Sequence, residues 1–377
     1  MDSAPALAAL TARLEGAARI TLDTEADSLH SYYEKVCLIQ LSVGGESYIV
    51  DPLAGVDLSG FLGALAARPL LFHGADYDLR MLRASFGFRP QGDVYDTMIA
   101  AQLLGLEEFG LAALARRLCG VTLTKAGQKA DWSRRPLTRA QLAYATDDIR
   151  YLEPIADALF TELRRLGRYD WYRDACGRLV ASTARERPRD PAEAWRIKGL
   201  KGFDRRQLAF VRELWRWREH EAQKADRPAF KVLGNAQLRE LALWGAAHPA
   251  ASLAHGPKLP RNCTGHRLHA LEAALRRARE TPKSDWPTLS RGRRGEGGAP
   301  KCEREVDALM AECARIAADL GIAPSMLAPR AALEAVAHHR PQTFDDILAC
   351  APLMRWQAEL LAAAILRTLS GDRAKGR

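Results

Sequence analysis

Three short stretches of the chain carry acids at spacings that let them act together. Asp23-Thr24-Glu25 puts two carboxylates at i and i+2, which on an extended strand project from one face. In HGADYDL, residues 73–79, Asp78 opens a helix with Asp76 close by. In QLAYATDDIRYL, residues 141–152, Tyr144 precedes Asp147 and Asp148 by one helical turn. Each stretch alone has an ordinary explanation, since acids suit the first turn of a helix and a solvated helix face. Together they imply a chemistry. Carboxylates gathered without Lys or Arg repel one another unless a cation neutralises them, and hard oxygen ligands select Mg²⁺ or Mn²⁺. Two such ions about 4 Å apart can activate a water and stabilise the leaving oxygen of an in-line phosphoryl displacement. The residues alone leave open Asp147 against Asp148, and Asp76 against Asp78. Asp93 and Asp96, in GDVYDT, read as turn and N-cap residues instead.

Positioning these groups requires strands and helices in alternation. Ile20–Leu22 reads as a strand that ends in the acids. Leu38–Val43 and Tyr48–Val50 read as a hairpin turning at Gly44-Gly45. Leu70–Phe72 is an apolar run that becomes a helix after His73-Gly74, with Gly87 as its stop. Further helices follow in YDTMIAAQLLGL, in GLAALARRLCG and around Tyr144, so residues 1–180 are expected to form an α/β domain. Residues 181–203, rich in Pro, Arg and small side chains, read as a linker, and 204–285 as all-helical. Residues 286–300 read as a flexible Gly/Arg-rich linker, and 301–372 as helical again. The two helical parts share an L-x-x-[LV]-A core, at Leu238–Ala242 and Leu333–Ala337, which suggests an internal repeat.

Composition narrows the partners. A chain of 377 residues with 47% hydrophobic content supports two or three packed domains. It has no run of eighteen apolar residues and no secretory leader, so no membrane partner is expected. Seven cysteines without a C-x-x-C pair suit a reducing cytoplasm. The net charge of +9 is unevenly placed. Residues 1–180 hold 20 Lys and Arg against 23 Asp and Glu, net −3, and residues 181–377 hold 35 against 23, net +12. An acidic half followed by a basic half divides carboxylate chemistry from polyanion attraction. Arg205, Arg206, Arg212, Arg216 and Arg218 are candidate phosphate contacts, while Trp215 and Trp217 read as core anchors. Cys263, His266 and His269 fall short of the four ligands of a structural zinc site. There is no phosphate-binding G-x-x-x-x-G-K-[ST] loop.

The ordered set Asp23-Thr24-Glu25, His73-x-x-x-Tyr77-Asp78-Leu79 and Tyr144-x-x-x-Asp148 resembles the DEDDy subgroup of 3′→5′ exonucleases, and within it the ribonuclease D family. DWSRRPLTRAQLAYATDDIRYL, from Asp131 to Leu152, resembles the segment that leads into that family's third motif. The basic helical part resembles HRDC domains. The resemblance implies a ribonuclease H-like α/β exonuclease domain followed by two all-α HRDC-like domains, the second degenerate. It implies a metal-dependent 3′→5′ exoribonuclease that trims 3′ ends of tRNA precursors and other small structured RNAs, releasing nucleoside 5′-monophosphates. By the same resemblance, Asp23, Glu25 and Asp148 hold the ion that activates water, with Asp23 bridging to a second ion that Asp78 supports. Tyr144 orients the water, and the family spacing selects Asp148 and Asp78 over their neighbours. His73, Arg134 and Arg135 lie in or beside the motifs and, with Arg212 and Arg216, are the expected RNA contacts. A monomer using two Mg²⁺ or Mn²⁺ ions is expected. The rival readings are a DNA exonuclease of the same chemistry, a non-catalytic RNA-binding protein and a helicase accessory module.

Overall fold

The computed structural model describes residues 1–124, 127–185, 190, 192–289 and 300–370. Packing groups the chain into two units. One comprises Met1–Ala26, Val36–Arg185 and Gly295–Arg377, the other Asp27–Lys35 and Glu186–Arg294.

In the first unit, β1 (Ile20–Ala26), β2 (Val36–Val43), β3 (Glu46–Val50), β4 (Leu70–Phe72) and β5 (Val94–Asp96) form one sheet in the order β3-β2-β1-β4-β5. The β1–β2 and β2–β3 pairs are antiparallel, and the β1–β4 and β4–β5 pairs parallel. The hairpin turns where expected, because Gly44 and Gly45 both take positive φ, 60° and 81°, as a two-residue turn matched to strand twist requires. Every residue of β2 is buried, which suits a strand flanked on both sides. Helix α1 (Ala4–Leu14) precedes β1, and α2 (Ser59–Ala66), α3 (Asp76–Phe86) and α4 (Thr97–Leu103) follow β3, β4 and β5, with α5 (Leu111–Leu114) after α4. A π-helical turn, Ala115–Cys119, ends at Gly120. Next come α6 (Arg139–Arg150), α7 (Leu152–Arg165) and α8 (Tyr169–Ala184). Gly87 closes α3 at φ 68°, its N–H donating to the Arg83 carbonyl.

β1 carries Asp23 and Glu25 on the strand as expected and extends one residue beyond them, to Ala26. Pairing with β2 from Thr21 to Ala26 holds this polar end of the strand extended.

The second unit is all helical. It comprises α9 (Arg205–Lys224), α10 (Ala229–Val232), α11 (Asn235–Ala247) and α12 (His266–Glu280). Asp204 and Gln207 form a capping box that starts α9. Phe210, Leu214, Trp217, Leu241 and Leu271 make its core. Asp27–Lys35 is pinned there, with Tyr32 donating its amide to Asp226 at 2.9 Å and its hydroxyl to Glu219 at 3.1 Å.

The chain ends in α13 (Pro300–Leu320), α14 (Pro324–Leu327), α15 (Arg330–His339), α16 (Phe344–Cys350) and α17 (Arg355–Ser370). These helices share one hydrophobic cluster with the exonuclease part: Leu71, Ala100, Phe160 and Tyr172 belong to it with Val306, Leu333 and Trp356. Trp171 stacks on Trp356 at 4.7 Å and 8°. Gly105 meets the backbone of Gly321 so closely that a β-carbon would fall 1.7 Å from its carbonyl oxygen. The shared L-x-x-[LV]-A stretches lie in α11 and α15, each behind a short helix, with Leu238, Leu241, Leu333 and Val336 all buried. Most of the second linker falls outside the described residues, as do residues 186–189 and 191 of the first. Among the described residues no helix is long and apolar enough to cross a membrane.

Candidate active site

The strand register builds the site. Asp23 and Glu25 share a face of β1, and Asp23 stands opposite Gln40 of β2. Gln40 is fully buried, and its Nε2 donates to Asp23 Oδ2 at 2.7 Å, fixing that carboxylate. On its other side β1 pairs with β4 only at Ile20 and Thr21, because β4 is three residues long. The Thr24 amide therefore has no strand partner there, and it donates to Asp78 Oδ1 at 3.0 Å. The Thr24 hydroxyl donates to the same oxygen at 2.6 Å.

Asp78 reaches β1 because the start of its helix is held. Asp96 accepts from the Gly74 and Ala75 amides, each at 2.9 Å, and from Met98 N at 2.8 Å, capping α4 while bracing the entry to α3. The N-cap role read from the sequence thus extends to a second helix. Asp96→Ala strands buried amides and removes a cap. It is expected to cost roughly 2–4 kcal/mol of stability in urea unfolding; a loss below about 1 kcal/mol would show the amides find other partners.

Helix α6 starts at a capping box formed by Thr138 and Gln141. It carries Tyr144 and Asp148 one turn apart, the Tyr144 hydroxyl donating to the Asp148 carboxylate. Asp23, Glu25 and Asp148 each offer an oxygen within 4.8 Å of the others. Asp78 stands outside that tight group, joined to it through Thr24. Asp147 is half-buried and does not join the group, and Asp76 is engaged in an ion pair with Arg80 at 2.9 Å.

Electrostatics mark these acids as unsatisfied without a cation. Burial, then the charges of Asp148 and Asp78, push Glu25 up to about 8. Burial, then Asp78, Asp148 and Glu25, raise Asp23 well above the carboxylate range. Burial raises Asp78 and Asp148 to about 6, against the hydrogen bonds from Thr24 and Tyr144 that favour their ionised forms. For Asp23 and Glu25 the charges at work are those of the other acids. An all-oxygen set of mutually repelling, buried carboxylates fits a hard divalent cation. Burial and the neighbouring acids raise Tyr144 as well, so it keeps its proton at neutral pH.

The expected RNA contacts fare unevenly. His73 Nδ1 bonds Thr97 Oγ1 at 2.9 Å, and that hydroxyl itself donates to the Phe72 carbonyl at 3.2 Å. Nδ1 is thereby the protonated nitrogen, and burial holds the ring below its ordinary value and so neutral. Arg134 is exposed and pairs with its near neighbour Asp131 at 3.0 Å. Arg135 is not available to a phosphate. Its five N–H donors go to both Asp51 oxygens and to the carbonyls of Cys37, Trp132 and Arg134. Arg212 is likewise held inside its unit, donating to the Asp285 carbonyl at 3.1 Å with its side chain 19% exposed. Arg216 stays on the surface beside Glu213. Gln40 and Thr24 escaped sequence reasoning, although a lone glutamine in the apolar run CLIQLSV was a visible cue.

Comparison with known proteins places the chain in a family. The family model described as 3′-5′ exonuclease matches residues 1–164, and the HRDC domain model matches residues 207–244 and 304–369. The ribonuclease D of Acidiphilium cryptum is 32% identical over 98% of this chain and 93% of its own length. That of Xanthomonas oryzae pv. oryzae is 30% identical over 97% of each. The crystal structure of Escherichia coli RNase D, described as an exoribonuclease involved in structured RNA processing, superposes with a TM-score of 0.72 at 26% identity, covering 98% of both chains. With an exonuclease α/β domain that carries the acidic cluster and HRDC matches in both helical parts, the chain belongs to the ribonuclease D family.

Proposed function

We propose that this hydrolytic 3′–5′ exoribonuclease trims 3′ extensions from tRNA precursors and other small structured RNAs, one nucleotide at a time, releasing nucleoside 5′-monophosphates. The observation that carries the reading is the convergence of Asp23, Glu25 and Asp148 beside a protonated Tyr144. Asp23, Glu25 and Asp148 would hold a divalent ion and Asp78 would support a second, as Mg²⁺ or Mn²⁺. When bound, such ions supply Lewis acidity to the phosphate and favour deprotonation of the attacking water.

The chain's own part is positional. Gln40 fixes one oxygen of Asp23 and leaves the other for coordination. Thr24 does the same for Asp78. Tyr144 keeps its hydroxyl proton and so acts as a hydrogen-bond donor that orients the attacking water rather than as its base. Hydrolysis joins that water's oxygen to the terminal phosphorus and breaks the bond to the 3′ oxygen of the shortened chain. His73, Arg134 and Arg216 keep their proposed RNA contacts, Arg135 is withdrawn because its donors are taken by acceptors within the protein, and Arg212 has one donor taken by the Asp285 carbonyl. The domain order proposed is the exonuclease followed by two HRDC-like parts that hold the RNA body by backbone and shape.

A tRNA with a 3′ extension, labelled at its 5′ end, tests this directly. With Mg²⁺ it is expected to yield a ladder shrinking from the 3′ end, and with EDTA none. A paired substrate whose overhang lacks the 2′-hydroxyls is expected to be cut more slowly. Equal cutting of both overhangs would move the enzyme to the DNA reading, and binding without shortening under any divalent ion would make it a non-catalytic RNA-binding protein. Truncation after residue 290 is a poor probe of the last helices, because it removes half of a shared core. Charge reversals on their exposed surface, read as precursor affinity, are the better one.

A further inference from the structure

We propose that Gly127 is a positioning residue for Tyr144, the only kind of residue that lets the tyrosine ring lie where its hydroxyl meets Asp148. This rests on the reading of Tyr144 as the group that orients water. Gly127 belongs to the stretch between the π-helical turn and Trp132, and it passes directly over the tyrosine ring. A β-carbon at position 127 would stand 2.3 Å from Cγ of Tyr144, 2.4 Å from Cδ1 and 2.8 Å from Cδ2. Those distances lie well inside van der Waals contact. The crowded atoms are not the far end of a flexible chain. Cγ is one bond from the β-carbon that α6 anchors, so relief requires turning the ring off its rotamer or lifting the backbone at 127.

The ring has no room to yield within its packing. It sits 8% exposed in a cluster with Cys37, Leu38, Trp132 and Ala145, each of them 1% exposed or less, and the Trp132 ring centroid is 6.0 Å away. Turning the ring at its root carries the hydroxyl away from Asp148, and with it the water that the hydroxyl would orient. Glycine at 127 thus serves the chemistry through tyrosine, without touching substrate or ion.

Steady-state kinetics on the 3′-extended RNA compare Gly127→Ala, Tyr144→Phe and the double variant. Gly127→Ala is expected to lower kcat about 100-fold while KM stays within about twofold, the scale of a 1 Å misplacement. The double variant is expected to be no slower than Tyr144→Phe alone. Gly127→Ala at full activity, or a double variant slowed by the product of the two single losses, overturns the proposal. Thermal melts supply a second arm. Gly127→Ala is expected to lower Tm in the wild-type background and to leave it unchanged when Tyr144 is alanine, because the space is then free. An equal drop in both backgrounds overturns the steric argument. Full activity of Tyr144→Phe would instead remove the catalytic reading of the tyrosine, while the melts still decide the clash.

Discussion

Asp148→Ala is expected to reduce ribonuclease turnover by at least 10³-fold, about 4 kcal/mol of lost transition-state stabilisation, while leaving the protein folded. The carboxylate is one of three that approach within 4.8 Å, so its loss opens the ligand set that would hold the ion. Its removal also relieves repulsion, since Glu25 is pushed up by burial and then by the charge of Asp148. The metal-free variant is therefore expected to melt no lower than wild type, which separates lost chemistry from lost structure. Asp147→Ala, outside the cluster, is expected to keep most activity. If Asp147→Ala were the inactive variant and Asp148→Ala the active one, the assignment of ligands on α6 would be wrong.

The second large effect concerns metal and pH together. Glu25 titrates at about 8 in the folded chain, and Asp78 and Asp148 at about 6, against ordinary values of 4.5 and 3.8. A raised folded value means the native state binds protons more tightly than the unfolded chain. The stability that this protonation contributes is complete below pH of about 4 and is lost as the pH climbs through 6 and then 8. Metal-free protein should therefore melt progressively lower from pH 5 to pH 8. Mg²⁺ binds only the ionised carboxylates, so it should raise Tm little at pH 5 and strongly at pH 8. At 100 times Kd the gain is about 2.7 kcal/mol, several degrees for a chain of this size. Binding near pH 7 should also release protons, from Asp23 and Glu25, measurable by calorimetry in buffers of different ionisation enthalpy. A Tm that rises with pH in EDTA, or a Mg²⁺ effect independent of pH, would contradict the cluster as an ionic site.

The candidate acids could be placed from local spacing, Asp23 and Glu25 on a strand and Tyr144 on a helix one turn from Asp147 and Asp148, while the choice of Asp148 and Asp78 came from the family resemblance. The hairpin at Gly44-Gly45 and the cap at Asp96 were legible for the same reason. What escaped depends on partners far away in sequence. Arg135 looks free in SRRPL, yet its acceptors Asp51 and Cys37 lie 84 and 98 residues earlier. Arg212 is captured by a carbonyl 73 residues later. The helices after residue 300 show their apolar faces plainly, but periodicity says nothing of which surface a face will cover. That they close over the exonuclease part emerges only from Trp356 against Trp171, and from Arg168 donating to the Leu320 carbonyl at 2.6 Å.

This shared cluster sets an order for the protein's birth on the ribosome. Strands β1–β5 and the candidate acids emerge first, but the cluster around Leu71, Phe160 and Tyr172 is completed only by side chains from Val306 onward. At roughly 5–20 residues per second, the nascent exonuclease waits on the order of 10–40 s for its last helices. During that interval its apolar surface is open to chaperones. A message broken before its end yields a chain that already holds all four proposed metal ligands and lacks the packing of the shared cluster, so a truncated product is expected to be a poor nuclease from the outset.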